Sequence, residues 1–465
     1  MDAPPQTVGG EPAGAPDDGP SIARRLFDLA LPVIGLNVLN VLSLAVDTAM
    51  CGRLPNRDAA LEALGFATQV VFLLMVAMMG LVVGTVATVS RAHGAGDDQR
   101  VNHVLRQSSM FTVLVALGVA VLGNLGAPWV LRALGASEGT LALALDYLRP
   151  LLTFTVFYYL NMLYAAVLRS VGNTRLPFLI ALGFNALNVL FNYGLILGNF
   201  GLPSLGVQGA AIGTVMAQGC GVLAMVLMLR RGAVRGLRLK LRPTALDGAL
   251  ARTFFRVGAP AALDMIILNA SFASIVGMLG RIDPAAVAAH GIGLRIQALA
   301  FVPGLSVSQA TGAMVGNALG AHDVPQARSV VRASIVLCTA LMSTLALLII
   351  LGAPEIVGIF DVPRDTALMD FSVTWMELLG YGMPIVGVHI AFVGMLRGAG
   401  ATNTSLYINL FGTILQVPLS WALGFPLGLG AWGVWAGFPL SFLLKAALGF
   451  AAYRRERWAT AGSGV

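Results

Sequence analysis

The carboxylate of Asp47 lies near the end of an apolar stretch at 27–51. A charged side chain carried to the centre of a bilayer costs at least about 2.5 kcal/mol, so an acid inside a span is a functional candidate by default. Such a group can take up and release a proton, or hold a sodium ion together with neighbouring oxygens. Asn37 and Asn40 precede it at helical spacing, near the same face. The alternative is that Asp47 sits close enough to the membrane surface to be solvated there.

A second polar set follows at three- and four-residue spacing, Asn185, Asn188 and Asn192, with Tyr193 next to it. These amides either face the same cavity as Asp47 or join helices through interhelical hydrogen bonds of about 0.6 kcal/mol each. Gln208, Thr214 and Gln218 stand in the next segment, where nearby glycines also favour simple close packing. The second half of the chain adds Asp264, Glu377 and His389. A histidine can titrate near neutrality, although a lone one in a span is commonly a packing residue. Arg295 and Lys445 are the cations within spans. Lys445 can snorkel to the surface, and Arg295 is a partner for an acid of the seventh or tenth span.

Other chemistries find no support in the residues. Cys51, Cys220 and Cys338 are scattered without metal-ligand or redox spacing and read as small buried hydrophobes. There is no Gly-Lys-Ser/Thr phosphate loop, so ATP hydrolysis is not expected.

The elements that position these groups must be membrane helices. Of the 465 residues, 57% are hydrophobic and only 11% charged, with a mean hydropathy of +0.81. Soluble domains carry about 25% charged residues, and a chain this apolar has too little polar surface to face water. Segments long enough to span, at roughly 20 residues each, run over 27–51, 64–90, 107–127, 146–168, 177–199, 207–229, 254–280, 289–318, 329–352, 373–396, 404–424 and 430–453. In lipid such runs satisfy their backbone groups only as helices. The fold class is therefore all-α integral membrane, with twelve transmembrane helices.

Of 29 Lys and Arg, 21 fall in the tails and the even-numbered loops and six in the odd-numbered loops. The positive-inside rule then places both termini in the cytoplasm. The net charge of +7 is a topology signal and implies no nucleic-acid partner. Residues 1–22, rich in Pro, Gly and acid, read as a disordered cytoplasmic tail. The expected organisation is an N-terminal six-helix bundle over 23–230, a basic cytoplasmic linker over 231–251, a C-terminal bundle over 252–455 and a tail over 456–465.

The two bundles repeat. Pro32 and Pro260, Gly52-Arg53 and Gly280-Arg281, and Leu168-Arg169 and Leu396-Arg397 are each 228 residues apart, while Gly94-Ala95 and Gly320-Ala321 are 226 apart. Six spans per repeat make the repeats parallel, related by a pseudo-two-fold axis along the membrane normal. Paired bundles around a cleft suit alternating access. The repeat places Ile275 opposite Asp47, so the carboxylate belongs to one half alone.

From Pro32 to Leu54 the chain (PVIGLNVLNVLSLAVDTAMCGRL) resembles the first helix of the multidrug and toxic compound extrusion (MATE) family. LRSVGNTRLPF, GFNALNVLFNYGLILG, GVQGAAIGT, AAVAAHGIGLRIQ, VGNALGA and MLRGAGATNT extend the resemblance over residues 25 to 455. It implies a non-enzymatic, monomeric antiporter in the cytoplasmic (inner) membrane. Such a transporter needs no cofactor and exports amphipathic or cationic small molecules on a proton or sodium gradient. The Asp of the first helix would be the coupling group. One branch of the family pairs it with an Asn and an Asp four apart in the fifth helix. Here those positions are Asn188 and Asn192, and the missing second acid favours a proton over sodium. Another branch uses acids in helices 7 and 10, but Val386 and His389 stand where its helix-10 residues would fall. The cation-coupling set is therefore Asp47, Asn188 and Asn192, with Asn37, Asn40, Asn185, Thr214, Gln218, Asp264 and His389 as further cavity candidates. The competing expectation is a lipid-linked saccharide flippase of the wider superfamily, which would need a strongly cationic cavity.

Overall fold

The computed structural model describes residues 21–240 and 244–460. The tail expected at 1–22 therefore lies outside the described residues up to position 20, and helix begins at Ile22. The first half comprises α1 (Ile22–Cys51), α2 (Arg57–Gly94), α3 (Asp98–Ala133), α4 (Glu138–Thr153), α5 (Thr155–Ser170), α6 (Arg175–Leu197) and α7 (Gly206–Arg231). The second comprises α8 (Gly248–Leu279), α9 (Pro284–Ala300), α10 (Val302–Gly320), α11 (Val324–Leu351), the short α12 (Ala353–Gly358), α13 (Ala367–Gly398), α14 (Thr402–Gly424) and α15 (Gly430–Arg454), followed by α16 (Arg457–Thr460). Among the described residues, ten helices are long and apolar enough to cross a bilayer, and the bent pairs α4–α5 and α9–α10, each taken as one span, bring the total to twelve.

Those bends are a departure from the continuous spans expected at 146–168 and 289–318. The axis turns by 54° at Phe154 and by 40° at Phe301. At the second break Pro303 follows directly and has no N–H to give the preceding turn. Its mate 226 residues earlier is Ala77, and α2 runs on unbroken. Pro150 lies in the last turn of α4, ahead of the first break.

Turns on the terminus-bearing face repeat as well. Asp97 caps α3 through the N–H of Arg100, and Asp323, 226 residues later, caps α11 through the N–H of Gln326. The residue before each cap is left-handed, Gly96 at φ 73° and His322 at φ 60°.

Each half has its own core, and the halves exchange helix ends. Leu26 and Ala30 at the start of α1 pack among Val307, Ala310, Cys338 and Ala391 of the second half. Reciprocally, Val257 and Ala261 of α8 pack on Val83 and Ala87 of α2. The linker expected at 231–251, of which 241–243 lie outside the described residues, is tied to α3 on both sides of that gap. Gln107 holds the Ala245 carbonyl at 2.8 Å, Asn102 holds the Gly236 carbonyl at 2.8 Å, and His103 meets Asp247, the cap of α8, at 3.1 Å. Of the tail expected at 456–465, residues 461–465 lie outside the described residues, and 457–460 form the short α16. Trp458 in α16 is buried against Ala399 and Leu396, and Ile22 packs on the same cluster. The described ends of the chain, at Ile22 and Trp458, thus lie on one face.

The bundles meet at that face. Ser90 touches Gly316, Gly94 abuts Asn317 and Gly320 abuts Arg91. Each of these pairs joins residues 226 apart or swaps two such mates, so they surround the pseudo-two-fold axis. Gly80 lies against Gly258, and a Cβ added at Gly80 would stand 3.0 Å from the Gly258 carbonyl oxygen. Two side-chain bonds fasten the contact, Arg91 Nη2 to the Ala399 carbonyl at 3.0 Å and Asn37 Nδ2 to Ser306 Oγ at 2.9 Å. Beyond that level, Asn40 and Leu44 on α1 and Ile266 and Asn269 on α8 are exposed. The bundles are thus in contact toward the termini, and these side chains beyond the contact are left uncovered.

Candidate functional site

Asp47 lies about one turn from the end of α1 and is only 4% exposed. Three helices supply its surroundings. Asn192 of α6 donates from Nδ2 to Asp47 Oδ1 at 2.6 Å, and Thr214 of α7 donates from Oγ1 to Asp47 Oδ2 at 3.4 Å. Asn188 Nδ2 donates to Thr214 Oγ1 at 3.0 Å, and Ser43 Oγ donates to Asn188 Oδ1 at 3.1 Å. The carboxylate is thus the acceptor at the end of a buried relay, the arrangement that makes an internal charge tolerable. Tyr147 of α4 and Cys51 lie within range of its charge.

Asp47, Asn188, Asn192 and Thr214 therefore come together, and the remaining candidates go elsewhere. Asn185 is buried, but its amide bonds its own helix at the Ala181 carbonyl, 2.7 Å away. Asn37 faces the other bundle and Asn40 is exposed, so the expected polar stripe on α1 diverges before it reaches Asp47. Gln218 offers its carbonyl to Asn161 Nδ2 at 2.9 Å.

The second bundle repeats the scaffold of this site but not its chemistry. Ser271 Oγ donates to Gln416 Oε1 at 3.0 Å, and both lie 228 residues after Ser43 and Asn188. Gly213 of α7 and its counterpart Gly437 of α15 each press against the preceding helix, one on Asn192 Oδ1 and the other on Ser420 Oγ. These two are 224 residues apart, because the chain from Gln416 to Gly437 is four residues shorter than from Asn188 to Gly213. At the mates of Asp47, Asn192 and Tyr147 stand Ile275, Ser420 and Trp375, and Phe438 takes the place of Thr214. Trp375 packs on Phe438 at 5.7 Å and on Trp435 at 5.6 Å. One bundle carries a carboxylate in a relay, the other an aromatic plug.

The same internal symmetry appears in comparison with known proteins. The MatE family model matches twice, over residues 32–194 and 260–422. The chain belongs to the MATE family. It is a membrane transporter, not an enzyme. A relative from Thermotoga maritima, described as a probable multidrug resistance protein NorM, is 25% identical and aligns over 95% of this chain and 94% of its own. Another probable NorM, from Bradyrhizobium diazoefficiens, is 30% identical over 90% of each chain. Among solved structures, one titled as the outward-facing conformation of a multidrug resistance MATE family transporter shares the fold. Its TM-score is 0.86 at 21% identity, covering 96% of this chain and 98% of that one.

In this MATE protein the polar residues of the C-terminal bundle form a cluster of their own. Asp264 of α8 pairs with Arg397, at the end of α13, at 3.2 Å. Arg295, expected as a partner for such an acid, is exposed on α9 instead. Asn409 faces both Asp264 and His389. Lys445 does not snorkel: it is 1% exposed, lies 4.5 Å from the Phe442 ring centroid and packs against Gly412. His389 is set edge-on to the same ring at 5.4 Å. Asp264 and His389 thus belong to the interior of one bundle and do not join Asp47. Cys51 and Cys338 are buried as expected, whereas Cys220 is exposed. Among the described residues, no three His, Cys, Asp or Glu side chains converge to hold a metal ion.

Ser43, Tyr147 and Gly213 are the site residues that sequence reasoning missed. The repeat offset could have found Ser43, since its mate is also a serine. Gly213 gives a direct test of the packing. A methyl group there would land on the Asn192 amide, so Gly213→Ala is expected to cost about 1–3 kcal/mol of stability. Thermal unfolding of the purified protein reads the effect. Gly118→Ala, which meets open space on α3, is expected to leave the midpoint unchanged or slightly raised.

Proposed function

We propose that this MATE protein is a proton-coupled antiporter that exports amphipathic or cationic small molecules across the cytoplasmic membrane, with both termini in the cytoplasm. The supporting observation is the Asp47 relay, present in one bundle and replaced by Ile275 and aromatic rings in the other. Relatives described as multidrug resistance proteins support the substrate class.

The donor set favours a proton over sodium. Asn192 presents its N–H to Asp47 at 2.6 Å, so a donor occupies the place where a sodium ion would need an oxygen. Protonation needs no such vacancy. Thr214 Oγ1 donates to Asp47 Oδ2, and a hydroxyl can turn to accept from the same oxygen once it carries a proton. Asp47 would load its proton from the side away from the termini, the bundle would repack around the neutral acid, and substrate would leave. Return to the terminus-facing state would then release the proton.

Purified protein in sealed vesicles, given a proton or a sodium gradient separately, tests this reading. Movement of a lipophilic organic cation against the proton gradient alone is expected. Movement driven by sodium at uniform pH would overturn the proton assignment.

A further inference from the structure

A second pocket lies at the terminus-bearing mouth of the N-terminal bundle, away from Asp47. Its volume is about 830 Å³, enough for a small polar ligand. Six elements form it: the start of α1, the end of α2, the start of α3, the α5–α6 turn, the start of α6 and the linker. Two carboxylates, Asp28 and Asp98, and two guanidiniums, Arg175 and Arg235, line it. None of the four belongs to an ion pair among the described residues, although both signs face one space. Asp98 is held against Gly236, whose φ of 79° brings the linker backbone close to the carboxylate.

The wall on the α1 and α6 side is apolar, with Leu29, Leu176 and Leu179. From that rim, exposed apolar side chains continue along both helices, Phe27 and Leu31 on α1 and Leu179, Leu182 and Leu190 on α6. On a bilayer-spanning helix such a stripe faces acyl chains. Opposite charges over a polar floor, at the head of an acyl-facing stripe, match a headgroup that carries both a phosphate and an amine.

We propose that this pocket binds a zwitterionic aminophospholipid from the leaflet on the terminus-bearing side. Arg175 and Arg235 take the phosphate, Asp28 and Asp98 take the ammonium, and the α1 and α6 stripes carry the tails. Arginine suits the phosphate because its fork donates two parallel bonds. The ligand would bridge α1, which reaches into the C-terminal bundle at Leu26 and Ala30, to α6, which carries Asn192. Bilayer composition would thereby act on the helices that frame the coupling site.

The test is lipid retention by the delipidated full-length protein, read by native mass spectrometry. Phosphatidylethanolamine and phosphatidylglycerol with the same tails are supplied in separate mixed micelles, and free phosphoethanolamine is a third arm. Phosphatidylethanolamine is expected to be retained about tenfold better than phosphatidylglycerol, the weight of one charge-assisted bond. Asp28→Asn is expected to abolish that preference and Arg175→Gln to lower retention of both lipids alike, each at an exposed position and at an unchanged unfolding midpoint. Arg235→Gln, on a separate element, checks the result if either variant misfolds. Equal retention of the two lipids by the wild-type protein, a preference that survives Asp28→Asn, or retention untouched by both arginine substitutions would overturn the site. Free phosphoethanolamine binding as tightly as the lipid would overturn the bilayer as its source.

Discussion

Asp47→Asn is expected to reduce gradient-driven efflux to the background of empty vesicles while the protein still inserts and folds. The change is nearly isosteric, and an amide oxygen at position 47 can still accept from Asn192 Nδ2. The bond from Asn192 then goes to a neutral acceptor and the bond with Thr214 reverses, the new amide nitrogen donating to Thr214 Oγ1, a loss of about 1 kcal/mol each at most. The desolvation cost of a buried charge disappears at the same time. Folding should therefore stay within about 1–2 kcal/mol of wild type. What is lost is the only group in the relay that can gain or lose a proton. Vesicle efflux measured beside an unfolding curve separates the two effects. Strong loss of efflux with an intact unfolding midpoint is expected. Wild-type efflux in this variant would falsify the assignment of coupling to Asp47.

The second large effect concerns the closed face. Gly80 and Gly258 bring α2 and α8 into backbone contact, and a Cβ at Gly258 would fall on the Gly80 carbonyl group. Gly258→Leu cannot be absorbed by a rotamer change, because its obstacle is main chain. Overpacking of about 1–3 kcal/mol converts to a shift of roughly tenfold to a hundredfold between the two arrangements of the bundles. The arrangement closed at the termini should lose population. Spin labels on Asn40 and Asn269, both exposed beyond the contact, read the spacing of the bundles away from the termini. A shift toward shorter distances in Gly258→Leu is expected, with a smaller shift in Gly258→Ala. An unchanged distance distribution would show that the contact does not set the conformation.

The fold was readable in the primary structure because lipid imposes one solution on long apolar runs, and because three pairs of anchors recur at one offset of 228. The break at Phe301 has a cause visible in the chain, Pro303 opposite Ala77, but a proline in a span can bend it, break it or leave it intact. Pro384 lies inside the unbroken α13. Neighbouring helices decide among these outcomes, so composition alone does not.

The site was readable in part for a related reason. Asn188 and Asn192 share a helical face, and the resemblance tied that face to Asp47. Asn37 and Asn40 share the spacing argument, yet the first faces the other bundle and the second is exposed, because spacing selects a stripe without saying which neighbour it meets. The pairing of Asp264 with Arg397 was hidden for a different reason. Arg397 ends its helix in what reads as a loop cation, and only the length of its side chain carries the charge back to α8. Ser43 and Gly213 carry no signal of their own. Their roles emerge when the two bundles are superposed in register.

The most direct measurement of the central claim is proton release on substrate binding, in weakly buffered detergent solution without any gradient. Tetraphenylphosphonium added to the wild-type protein is expected to displace about one proton per molecule bound, since one carboxyl in the relay titrates. Asp47→Asn should bind the cation and release none. Equal release from the two proteins, or no release from wild type at any pH at which it binds, would contradict coupling through Asp47.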